Sequence, residues 1–101
     1  SLVELYGELF AWLGTALPRF GLEGRAEVPR ASGVVDLARS FAGTDWPQIK
    51  SIDVTVSLVQ WRFYNVIDLI GAVTRQFPVV QRSLVLAPKN ARVVLTLYGR
   101  V

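Results

Sequence analysis

The hydrophobic period changes once between residues 52 and 77, and no other feature constrains the fold as much. Ile52, Val54, Val56 and Leu58 alternate with Asp53, Thr55 and Ser57, the period-two pattern of a half-buried strand. From Phe63 the period lengthens. Phe63, Val66, Ile67, Ile70, Val73, Thr74 and Phe77 share one helical face, and Arg62, Asn65, Asp68, Arg75 and Gln76 share the other. Pro78 cannot continue that helix, because it lacks the N–H and its ring clashes with the preceding turn. "VVQRSLVLA" and "ARVVLTLYGRV" then alternate and are rich in β-branched residues, and "PKN" between them supplies hairpin turn chemistry. The second half of the chain therefore reads strand, helix, strand, strand.

That order requires a right-handed crossover if strands 52–60 and 79–87 are parallel, as direct neighbours or one strand apart. The first half adds a helix over residues 2–17. Its apolar residues recur at three- and four-residue steps, while Glu4, Glu8, Ala11 and Thr15 share the opposite stripe. Ser1 and Glu4 have capping-box spacing, and Pro18 is the expected stop. "RFGLEGRAEVPR" reads as loop with one short strand near Arg25–Val28. Ser32 caps an expected short helix over Val34–Phe41, stopped by Gly43, and "GTDWPQ" reads as a turn. Placing both long helices on one face of the sheet gives an α+β fold, a two-layer ferredoxin-like sandwich with a mainly antiparallel sheet. A chain of 101 residues suits one such domain, 1–101, with a single core.

The residue inventory excludes most chemistries. Cys and His are both absent, which removes the usual zinc, haem, iron–sulfur and thiol sites. The carboxylates Glu4, Glu8, Glu23, Glu27, Asp36, Asp45, Asp53 and Asp68 show no spacing that demands a shared site, and Asp53 is expected at the surface or in an ion pair across the sheet. No serine has a histidine to act as its base, and neither G-x-G-x-x-G nor a P-loop occurs. A net charge of +3 comes mostly from arginine and fits broad composition better than a nucleic-acid footprint, and the RNP signature of an RNA-binding sheet is missing. No catalytic, metal or cofactor site is expected. No apolar run approaches the roughly 20 residues that span a bilayer.

Surface remains as the place for function. Val59 and Trp61 continue the non-core parity of the first long strand, and Val94, Thr96 and Tyr98 oppose Val93, Leu95 and Leu97 on the last. Trp61 either bends back into the core or faces a partner. Tyr6, Trp12, Trp61 and Tyr98 are the candidate protein-interface residues, since Trp and Tyr are favoured anchors. "DVTVSLVQ" and "RVVLTLYGRV" carry no proline, so self-association is expected through a sheet edge or the adjacent helix 2–17. The stripe of Phe63, Val66, Ile70 and Phe77 is expected in the core.

The succession of "SIDVTVSLVQ", "FYNVIDLIGAVTRQFP", "VVQRSLVLA" and "ARVVLTLYGRV" resembles the periplasmic C-terminal domain of PilO and GspM. These are assembly-platform proteins of type IV pili and type II secretion systems, and the sister domains of PilN and GspL share the same half-repeats. The resemblance covers residues 50–101 and, more loosely, the helix 2–17. It implies a non-enzymatic scaffold in the periplasm, without cofactors and not binding nucleic acid. The partner would be a second copy or a PilN/GspL-like sister protein, and a transmembrane helix outside this fragment would anchor it to the inner membrane. The opening "SLVELYGELF", without an initiating Met, fits an excised fragment. The competing readings are another ferredoxin-like module that binds a small ligand or RNA, and, less favoured, an enzyme.

Overall fold

A computed structural model describes residues 1–27 and 41–100 of the chain. Helix α1 (Leu2–Arg19) leads to β1 (Glu23–Glu27); β2 (Ala42–Gly43) and β3 (Ile49–Gln60) precede helix α2 (Phe63–Gln76), and β4 (Val79–Val85) and β5 (Ala91–Arg100) close the chain. The sheet order is β1-β3-β5-β4, with β2 paired to β3 on the same side as β1. Every pairing is antiparallel. β3 and β4 consequently run parallel with β5 between them, the one-strand-apart form of the expected crossover. The fold is the expected α+β one, and among the described residues it comprises two helices on an open five-stranded antiparallel sheet.

The start of α1 follows its sequence signal, for Ser1 Oγ accepts from the Glu4 N–H at 3.3 Å. Its end does not. Pro18 occupies the last turn and the helix runs on to Arg19. A proline so close to the terminus disturbs only the bond to the carbonyl four residues back. The stop is Gly21, whose φ of 68° is a left-handed conformation that glycine adopts without steric cost. The Leu22 N–H donates to the Leu17 carbonyl at 2.9 Å and the Gly21 N–H to the Pro18 carbonyl at 3.0 Å, the paired bonds of a Schellman motif. Leu17 and Leu22 are both buried beside it.

β1 begins two residues before the expected Arg25, and the expected helix 34–41 lies outside the described residues except for Phe41, a core side chain. The two-residue strand β2 was not legible in the sequence, but the turn after it was. Thr44 Oγ1 accepts from the Trp46 N–H at 3.1 Å and donates to the Ile49 carbonyl at 2.8 Å. Along β3 the alternation holds, with Ile52, Val54, Val56 and Leu58 buried and Asp53 exposed. β5 answers it in register, pairing Val54 with Leu95 and Val56 with Val93.

Those inward residues meet Leu9, Leu13, Ala16 and Leu17 of α1 and Val66, Leu69 and Val73 of α2 in one core. The expected apolar face of α2 is rotated. Phe63, assigned to the core from its spacing, is 49% exposed and Ile67 is 41% exposed, whereas Leu69 is buried. The apolar residues of this helix span an arc wider than one sheet contact can cover, so only Val66, Leu69 and Val73, with Ile70 and Phe77 beside them, reach the core.

Candidate interaction surface

The four aromatic residues expected at an interface occupy four different environments. Tyr6 belongs to the core at 7% exposure, its ring tilted against Phe10 with centroids 4.7 Å apart. It has little area to offer a partner, because its position falls on the stripe of α1 that faces the sheet. Its hydroxyl has no hydrogen-bond partner among the described residues, and burial pushes its pKa up, since desolvation disfavours the phenolate. Trp12 is half-buried and meets Phe77 edge-on at 5.8 Å, joining the two helices. Trp61 bends back and packs on the core, and its Nε1–H donates to the Ala87 carbonyl at 3.0 Å. That bond ties the start of α2 to the end of β4. Tyr98 stays half-exposed on the sheet face turned away from the helices, opposite Ser51 of β3.

The same sheet face carries a polar network across three strands. Arg82 Nε donates to Thr96 Oγ1 at 2.8 Å, and Thr96 Oγ1 donates to Asp53 Oδ1 at 2.7 Å. Arg82 Nε also lies 3.6 Å from Asp53 Oδ1, which is the expected ion pair across the sheet. Thr96 can be 1% exposed because its hydroxyl is satisfied on both sides. β4 is bulged at this point, with Gln81 opposite Leu95 and Ser83 opposite Val94, so the extra residue, Arg82, is free to reach across β5.

The expectation that β3 and β5 offer open edges is corrected by the topology. Both are interior strands, β3 lying between β1 with β2 and β5, and β5 between β3 and β4. Among the described residues the edges are β1, β2 and β4. β1 is five residues long and carries Glu23, Arg25 and Glu27, β2 is two residues long, and β4 is interrupted by its bulge at Arg82. Short, charged and bulged edges resist pairing with another chain.

Exposed apolar side chains stand on the strands and the turn before β3, at Val59, Val80, Val85 and Trp46, and together on α2. Phe63, Tyr64 at 79% exposure and Ile67 stand on its first two turns, and the Phe63 and Tyr64 rings meet edge-on at 5.6 Å. Exposed Leu86 lies at the same end of the molecule, beside the carbonyl that binds Trp61. Sequence reasoning missed this patch by assigning Phe63 to the core and Ile67 to the same helical face. The signal was Leu69, which competes for the sheet-facing stripe and leaves Phe63 and Ile67 on a flank. An open cleft of about 420 Å³ lies between the C-terminal half of α1 and β1, lined by Phe10, Gly14, Leu17, Pro18, Leu22 and residues 23–26. Among the described residues Glu23 and Arg25 are its only charged groups. Among the described residues no three Asp, Glu, His or Cys side chains lie together as a metal site would require, and no helix is long and apolar enough to cross a membrane. Comparison with protein-family models, curated proteins and solved structures finds no match to this chain.

Proposed function

We propose that this domain is a non-catalytic protein-binding module, a scaffold of the kind that PilO and GspM represent in an inner-membrane assembly platform for type IV pili or type II secretion. The observation that carries the reading is the exposure of Phe63, Tyr64 and Ile67 together on one helix that is otherwise well packed. Contiguous exposed apolar groups of this size mark contact sites more often than they persist on an isolated surface. The order of elements supports it too, for α-β-β occurs twice around one sheet, α1 with β1 and β3, then α2 with β4 and β5. That arrangement suits the half-repeat pattern on which the resemblance rests. In this reading the domain lies in the periplasm, anchored by a membrane helix elsewhere in the protein. It binds a second copy or a sister platform domain through α2 and uses no cofactor.

The test is photo-crosslinking in the native cells, with a photoreactive amino acid replacing Tyr64 in the full-length protein and the products identified by mass. The reading expects membrane-associated adducts to a second copy or to another platform protein. Adducts to nucleic acid, or a protein that fractionates as a soluble monomer without adducts, would contradict it.

A further inference from the structure

Charge is unevenly spread along this chain. All eight acidic residues lie at or before Asp68, whereas the residues after it carry Arg75, Arg82, Lys89, Arg92 and Arg100 and no acid. The charged side chains of the β4–β5 hairpin are therefore all basic, and of these only Arg82 has a carboxylate beside it among the described residues.

The β4–β5 turn carries this charge to the exposed patch of α2. The Ala87 carbonyl accepts from the Asn90 N–H at 3.1 Å, which closes the turn around Pro88 and Lys89, and from the Trp61 Nε1–H at 3.0 Å. Trp61 immediately precedes Arg62, so Lys89 and Arg62 stand at the same end of the molecule. Both are exposed, and neither is in an ion pair among the described residues. Phe63, Tyr64 and Ile67 of α2 and Leu86 of the hairpin supply exposed apolar surface at that end.

We propose that the partner of this surface presents an acidic and apolar segment, its carboxylates meeting Arg62 and Lys89 and its aromatic or aliphatic side chains lying on Phe63, Tyr64, Ile67 and Leu86; the inference rests on the protein-binding reading above and names the chemistry of the partner. Covering those apolar groups withdraws the two adjoining cations from water, and a cation so placed needs an opposite charge to offset its lost hydration. Carboxylates supply it to guanidinium and ammonium alike. A neutral or basic segment leaves both charges uncompensated, so the cations discriminate among apolar partners. Two acids border the region. Glu23 faces Gln60 and lies on the far side of β3 from the hairpin. Asp68 stands one turn beyond Tyr64, further along α2 from Arg62, and so gives the contact a direction, with the acidic end of the segment toward the β4–β5 turn. Asp68 also opposes a continuous polyanion. Nucleic acid would set phosphates beside it, and Ile67 and Leu86 offer no ring on which a base can stack.

The test maps the Tyr64 photo-crosslink to its attachment site on the partner by peptide mass, in the full-length protein with Arg62 and Lys89 intact, with Arg62→Glu and Lys89→Glu together, or with Arg62→Lys and Lys89→Arg together. Both positions are exposed, so the variants should fold like the parent, which equal cellular abundance and circular dichroism of the chain check. The attachment site should fall in a segment of net negative charge. The double charge reversal should lower the yield of that adduct at least about five-fold, and the conservative pair should keep it. Attachment in a neutral or basic segment, or a yield that the reversal does not move, overturns the acidic partner and leaves the protein-binding reading in place. A parent that gives no protein adduct, or adducts to lipid or nucleic acid alone, overturns both.

Discussion

Tyr6 shows how a residue chosen for function becomes structural once its neighbours are known. Its phenol ring is held in the core and its hydroxyl has no partner among the described residues, so the oxygen contributes a desolvation cost without a compensating bond. Tyr6→Phe should leave thermal stability unchanged or raise it by up to about 1–2 kcal/mol, measured by denaturant unfolding. The raised pKa fixes the pH behaviour. The folded protein holds the phenol proton more tightly than the unfolded chain, so this group's contribution is fully present below the ordinary tyrosine value of 10.0 and is lost as pH rises through the folded pKa. The parent should lose stability above about pH 10 more steeply than Tyr6→Phe, and parallel pH profiles would contradict the assignment. Thr96 is the opposite case. Its side of β5 reads as solvent-facing, and it is buried only because Arg82 and Asp53 bond its hydroxyl from the two neighbouring strands.

At the scale of elements, α2 carries the sharpest separation between packing and surface. Leu69→Ala removes a fully enclosed side chain and should cost about 2–5 kcal/mol. Phe63→Ala removes a larger one that is half in solvent, and should cost about 1 kcal/mol or less. Equal losses in urea denaturation would mean that the face of α2 has been placed wrongly. The strands were legible in the sequence because a period of two allows only two faces, so Ile52 to Leu58 had no alternative. α2 was legible as a helix but not in its rotation, since seven apolar positions within four turns suit more than one stripe. The end of α1 was misread for a related reason. Pro18 is the stronger breaker by propensity, yet Gly21 sets the boundary, because a left-handed cap with two backbone bonds is a positive stop and a proline in the last turn disturbs only one bond.

For the whole molecule, topology decides which surfaces are free to bind. The strands that looked most open in sequence, β3 and β5, are enclosed, while the true edges are short, charged or bulged. No sequence pattern states strand order, since both interior and edge strands alternate, so this part of the candidate site could not be read in advance. Of the expected anchors, Trp12 and Trp61 hold the two helices and the β4 end together, and Tyr98 alone remains on an open sheet face. Among the described residues the outward side of α2, where aromatic and apolar groups coincide, is the surface proposed for partners ahead of the exposed Val59, Val80 and Val85 of the sheet.

The most direct measurement of that claim is a dilution series of the chain followed by amide chemical shifts, from about 1 mM to 20 µM. Weak self-association through one helix face should move resonances in fast exchange without loss of the folded spectrum. The account predicts that concentration-dependent shifts are confined to α2, largest at Phe63, Tyr64 and Ile67, with β1, β3 and the open sheet face around Tyr98 unchanged. Shifts centred on β4 or on Tyr98 would contradict it.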